Sequence, residues 1–83
     1  MNKFLIEIFV PIAGKSFEVF LPPHLYGYEA MQLIIKIAID LTGGLFVASE
    51  QTALCRKEDG SILNLNQPVW KLELKNSDEL TLI

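Results

Sequence analysis

The stretch KLELKNSDELTLI, residues 71–83, decides the fold. Leu80 and Leu82 alternate with Glu79 and Thr81, a period of two that predicts a β-strand with one buried face. Leu74 anchors the chain just before the polar residues Asn76, Ser77 and Asp78, which read as a turn. A strand of this kind buries Leu80 and Leu82 only by pairing inside a sheet. The simplest place is beside the first strand, which puts the last strand at the sheet's centre.

The first strand is KFLIEIFV, residues 3–10, ended by Pro11. With Lys3 and Glu7 facing water, alternation sends Phe4, Ile6, Ile8 and Val10 to the core and Leu5 and Phe9 to the outer face. PIAGK (11–15) is a turn in which Gly14 supplies a positive φ. SFEVFL (16–21) follows, with Phe17, Val19 and Leu21 on one side and Ser16, Glu18 and Phe20 on the other. The two strands make an antiparallel hairpin, and Pro22 and Pro23 stop the second.

A helix is predicted over 28–41, closed by Gly43 and Gly44. Its polar residues, Glu29, Gln32, Lys36 and Asp40, form one narrow stripe. Ala30, Met31, Ile34, Ala38 and Leu41 form the core face. Leu33 and Ile39 flank the polar stripe, outside the arc that faces a core. Beyond the linker 42–50, QTALCR (51–56) reads as a strand, KEDGS (57–61) as a tight turn with Gly60 left-handed, and SIL (61–63) as a short return strand. Pro68 starts a short helical turn with Trp70, Leu72 and Leu74 as anchors. The order is hairpin, helix, two short strands, turn, last strand. It predicts an α+β fold, one helix across a mixed sheet of four to five strands, in a single domain spanning 1–83.

Bulk properties narrow the function. Eighty-three residues give one core, burying roughly two thirds of the unfolded surface, and leave no room for a separate catalytic domain. Hydrophobic residues make up 51% and mean hydropathy is +0.34, so some apolar surface is expected to await a partner. Net charge is −3, and the seven basic residues are scattered with no basic stripe, which argues against nucleic acid. Lys36 cuts the longest apolar run and no signal peptide is evident, so membrane insertion is not expected. One cysteine forms no internal disulfide and fits a reducing cytoplasm.

Chemistry-bearing residues are few. His24, between Pro23 and Leu25, has no partner placed for acid-base work and reads as a loop histidine. Cys55 lies mid-strand with Arg56 on the opposite face, a buried or half-buried structural position rather than a reactive thiolate. One Cys and one His make no zinc site. Glu58 and Asp59 read as a solvated turn. With no phosphate-binding or dinucleotide motif, no catalytic residue, cofactor or metal is expected.

Two stretches resemble ubiquitin-like β-grasp proteins: GKSFEVFLPP (14–23), and KLELKNSDELTLI (71–83), where Leu74, Leu80 and Leu82 match buried positions. FLPPHLYGYEAMQLIIKIAIDL (20–41) further resembles the small ubiquitin-like proteins of type VII secretion loci, the YukD/EsaB family. That resemblance implies a cytoplasmic accessory or regulatory protein of a secretion machine in a Gram-positive bacterium. Conjugating and sulfur-carrying members of the fold end in Gly-Gly. This sequence ends at Ile83, so neither activity, nor a precursor trimmed to release such a tail, is expected.

The remaining signal is apolar side chains where water should be: Leu5, Phe9 and Phe20 on the outer sheet face, and Leu33 and Ile39 on the helix. Isolated surface apolars are ordinary, but three large ones on one open face predict a protein-binding patch. By resemblance, ubiquitin's own recognition surface is this face. The expected occupant is a protein partner, a secretion component or a second copy of the chain. The competing readings are a scaffold domain within an enzyme complex and, against the missing Gly-Gly, a carrier or modifier.

Overall fold

The computed structural model describes residues 4–83. The expectation that Lys3 faces water lies outside those residues. Strands β1 (Phe4–Val10) and β2 (Lys15–Leu21) form the antiparallel hairpin, joined through Pro11–Gly14 with Gly14 at φ 61°. Helix α1 spans Gly27–Leu41. Strand β3 is short, Leu54–Arg56, and β4 is Glu79–Leu82. The sheet order is β2-β1-β4-β3. β4 runs parallel to β1 and antiparallel to β3, so the last strand is central, as its pattern requires.

The core lies between α1 and the inner face of the sheet. Ile6, Ile8 and Val10 of β1, Val19 and Leu21 of β2, and Leu80 and Leu82 of β4 are buried there against Ala30, Met31, Ile34 and Ala38. Leu41, predicted on this face, is 38% exposed. It is the last helical residue.

The polar turn before β4 stitches it to β1. The Leu5 N–H donates to Asn76 Oδ1 at 2.9 Å, and the Ser77 N–H donates to the Leu5 carbonyl at 2.7 Å. The Glu7 N–H then donates to the Asp78 carbonyl at 2.9 Å. Asp78 Oδ2 accepts the Lys75 N–H at 2.9 Å and closes the turn. An asparagine side chain thus supplies the first rung of the parallel ladder before any strand exists.

The linker after the helix is built into the fold. The Gly44 N–H donates to the Ile39 carbonyl and the Thr42 N–H to that of Ala38, satisfying last-turn groups. Phe46 drops into the core at 5% exposure, its N–H donating to Thr42 Oγ1.

Three local expectations are corrected. Ser61–Leu63 is not a strand: Ile62 makes one isolated bridge with Cys55, and the chain then turns away through an Asn64–Asn66 hydrogen bond. The described residues therefore give four strands. The strand predicted over 51–56 is reduced to its last three residues, with Ala53 and Ile83 still exchanging backbone hydrogen bonds beyond it. Trp70 is not an anchor but is 58% exposed. The turn after Pro68 is a 3₁₀ helix, Val69–Leu72. Residues three apart share a face in that geometry, so Val69 and Leu72 go inward. Trp70 points to water, with the Lys71 ammonium 5.3 Å from its ring centre.

The helix starts at Gly27, one residue before the predicted Tyr28, because its N-terminus is capped from a distance. The Gly27 N–H donates to the Gln67 carbonyl (2.7 Å) and the Tyr28 N–H to that of Leu65 (3.0 Å). Glu29 reaches back to accept the Tyr26 N–H at 3.0 Å. This brings the 65–67 backbone so close that a Cβ on Gly27 would sit 2.7 Å from the Leu65 Cα.

Two predictions follow from this packing. Leu82→Asp places a carboxylate at a site 1% exposed with no partner. Its cost of several kcal/mol, against a domain total of about 5–15, leaves the chain unfolded by circular dichroism at 25 °C. Gly27→Ala forces the 65–67 backbone off the helix and lowers stability by about 1–3 kcal/mol in urea titration.

Candidate interaction surface

The side of the sheet away from α1 carries the predicted patch. Its rows are set by the hairpin register: Leu5 opposite Phe20, Glu7 opposite Glu18, and Phe9 opposite Ser16. The backbone N–H groups of Leu5 and Glu7 are spent toward the turn at 76–78. These rows are therefore the non-hydrogen-bonded pairs of the hairpin, the spacing at which opposed side chains come closest, about 4.5 Å between Cα atoms. Phe20 is 59% exposed and Phe9 37%. Leu5 is half-buried rather than open, with Phe20 across from it on the neighbouring strand. Thr81 lies beside Phe9, and Cys55 beside Thr81.

Leu33 and Ile39 are exposed on α1 as predicted, on opposite margins of the polar stripe. They do not join the sheet patch, because α1 covers the inner face and its outer side looks away from Phe20. The five residues thus form two separate surfaces.

A third apolar surface was not anticipated. At the end of the sheet where β1 and β4 finish, Pro11, Ile12, Phe46, Val47, Leu82 and Ile83 line a cleft of about 270 Å³. Ile12, Val47 and Ile83 are all more than half exposed. The available signal was an apolar residue inside each turn or linker, Ile12 in PIAGK and Val47 in LFVASE, where polar residues are usual.

The chemistry-bearing residues stay apart. His24 is exposed. Cys55 is buried, and Arg56 lies on the inner side of β3, its guanidinium donating to the Leu72 carbonyl. The Asp59 carboxylate accepts hydrogen bonds from Ser61, which hold its pKa below the ordinary value. Lys57 pairs with Glu79 at 2.6 Å, and this hydrogen bond, with the carboxylate's charge, raises the lysine pKa. Among the described residues no group of three or more His, Cys, Asp or Glu is placed to hold a metal ion, and no helix is long and apolar enough to cross a membrane.

No protein-family model and no curated protein sequence matches the chain. Solved structures do. The EccD5 ubiquitin-like domain from Mycobacterium xenopi superposes with a TM-score of 0.80 at 19% identity, over 100% of this chain and 94% of that one. Caldiarchaeum subterraneum ubiquitin gives 0.75 at 17%, over 99% and 92%. A chain of the MycP5-free ESX-5 inner membrane complex gives 0.81 at 17%, over all of this chain and 21% of that one. Identities this low establish shared architecture: the chain has the ubiquitin-like β-grasp fold, a mixed four-stranded sheet on one helix.

If the outer face is a surface rather than part of the core, trimming it is cheap. Phe20→Ser is expected to lower stability by no more than about 1 kcal/mol, the scale of one cross-strand pair. A loss of several kcal/mol in urea titration makes Phe20 a structural residue instead.

Proposed function

We propose that the chain is a single-domain, non-enzymatic ubiquitin-like interaction module, an accessory or regulatory component of type VII protein secretion of the YukD/EsaB kind. In this reading it works in the cytoplasm of a Gram-positive bacterium and docks a protein partner through the outer face of its sheet. The observation that carries it is the Phe20–Leu5 row: a phenylalanine 59% exposed, directly across from a leucine, with Phe9 four residues along β1 on the same face as Leu5. Rings so placed gain little for the fold by staying wet, and gain much when a partner covers them. The likeness to an EccD5 ubiquitin-like domain and to a chain of an ESX-5 inner membrane complex supports the secretion setting.

The test is a pull-down from the source bacterium with wild-type and Phe20→Asp protein as bait. Wild type is expected to retain type VII secretion components, and the variant to lose them with an unchanged circular dichroism spectrum. Equal retention by both removes the outer face from the reading, and recovery of no secretion component removes the secretion setting.

A further inference from the structure

The middle row of the outer face breaks a local rule of sheet construction. Glu7 stands directly opposite Glu18 in a closely spaced pair, and like charges so placed destabilise a sheet. Among the described residues neither carboxylate is bonded to a cation. The Ser16 hydroxyl donates to Glu7 Oε2 at 3.3 Å, a neutral contact. Glu18 has no hydrogen-bond or ion-pair partner among the described residues. On the other flank Glu79 is the register partner of Glu7 on β4, and Lys57, whose charge also acts on Glu7, is bonded to Glu79 at 2.6 Å. Arg56 is turned to the inner side, on the Leu72 carbonyl. Lys15 alternates with Ser16 and so shares the inner side of β2 with Phe17 and Val19.

The acidic row is bracketed by apolar ones. Leu5 and Phe20 lie on one side and Phe9 on the other, each about 7 Å away, the repeat of two residues along a strand. Resting on the reading of this face as a docking site, we infer the chemistry of its occupant: a protein segment with a lysine or arginine between two apolar side chains. The cation sits between Glu7 and Glu18, and its apolar neighbours cover the Leu5–Phe20 row and Phe9. Arginine suits the pair best, because its planar fork can bond both carboxylates at once. A second copy of the chain does not fit. Docking two such faces together gathers four carboxylates, from molecules of net charge −3 each.

The experiment pans a phage-displayed library of random peptides against the folded 83-residue protein. The enriched peptides are expected to carry a basic residue with apolar residues two positions to either side. Their affinity is expected to fall roughly fivefold or more in the Glu7→Gln, Glu18→Gln double variant, and to fall steeply as salt rises from about 0.05 to 0.5 M. The double variant is expected to melt no lower than wild type, because it removes a repulsion. Phe20→Asp abolishes binding. Enriched peptides without a basic residue, or binding indifferent to both glutamates, overturn the inference while leaving the docking face intact if Phe20→Asp still abolishes it. Binding that survives Phe20→Asp overturns both. Failure to enrich any peptide, or a dimer in light scattering that Phe20→Asp dissociates, also overturns the inference, the latter by making a second copy the occupant.

Discussion

The parallel pairing of β4 with β1 is the constraint on which the rest depends. It joins residues about 70 apart in a chain of 83, so it closes the largest loop in the fold and carries the highest entropic cost. Its return is proportionate. Ile8 beside Leu80 gives α1 a continuous apolar floor, and β3 has no neighbour in the sheet except β4. The polar turn makes the closure specific. Asn76, with the left-handed Ser77 at φ 71°, presents one acceptor and one donor to Leu5 alone, and a slip of one residue would put Leu80 and Leu82 in water.

The same pairing composes the outer face. Because Leu5 and Glu7 spend their backbone hydrogen bonds toward β4 and the turn before it, their side chains meet β2 at the closer of the two antiparallel spacings. A four-residue turn, Pro11–Gly14, then determines who meets whom: Phe20 faces Leu5 rather than Glu7. A turn one residue longer would shift these rows. The composition of the patch is thus a consequence of how the hairpin closes, and only indirectly of which residues alternate.

Most of the fold was legible because period-two and helical patterns report burial directly. Ile6, Ile8, Val19, Leu80 and Leu82 announce their face by their neighbours. What was not legible depends on spacing across the chain. Alternation puts Phe20 on the outer face, but only the register decides that Leu5 rather than Glu7 lies beside it and that Glu7 and Glu18 oppose each other. Trp70 was misread because a large aromatic in an aperiodic stretch invites burial, whereas the three-residue repeat of the turn gave that role to Val69 and Leu72. The cleft at Ile12, Val47 and Ile83 was missed because its walls come from a turn, a linker and the last residue of the sequence, which no periodicity connects.

In the proposed docking, the apolar and acidic rows of the outer face act on each other. Covering Phe20 and Leu5 excludes water from Glu7 and Glu18 about 7 Å away, and a carboxylate losing water without gaining a counter-charge is costly. A wholly apolar partner therefore gains from the rings and loses at the glutamates. A cationic partner without apolar flanks gains only the small energy of an exposed ion pair. A partner with both gains twice, because the rings shield the ion pair from solvent and the ion pair relieves a repulsion already present in the free domain. A strip proposed to dock such a partner would thus discriminate by penalty as well as by attraction. Under that proposal, a face of three apolar residues would have a selectivity that its area alone could not supply.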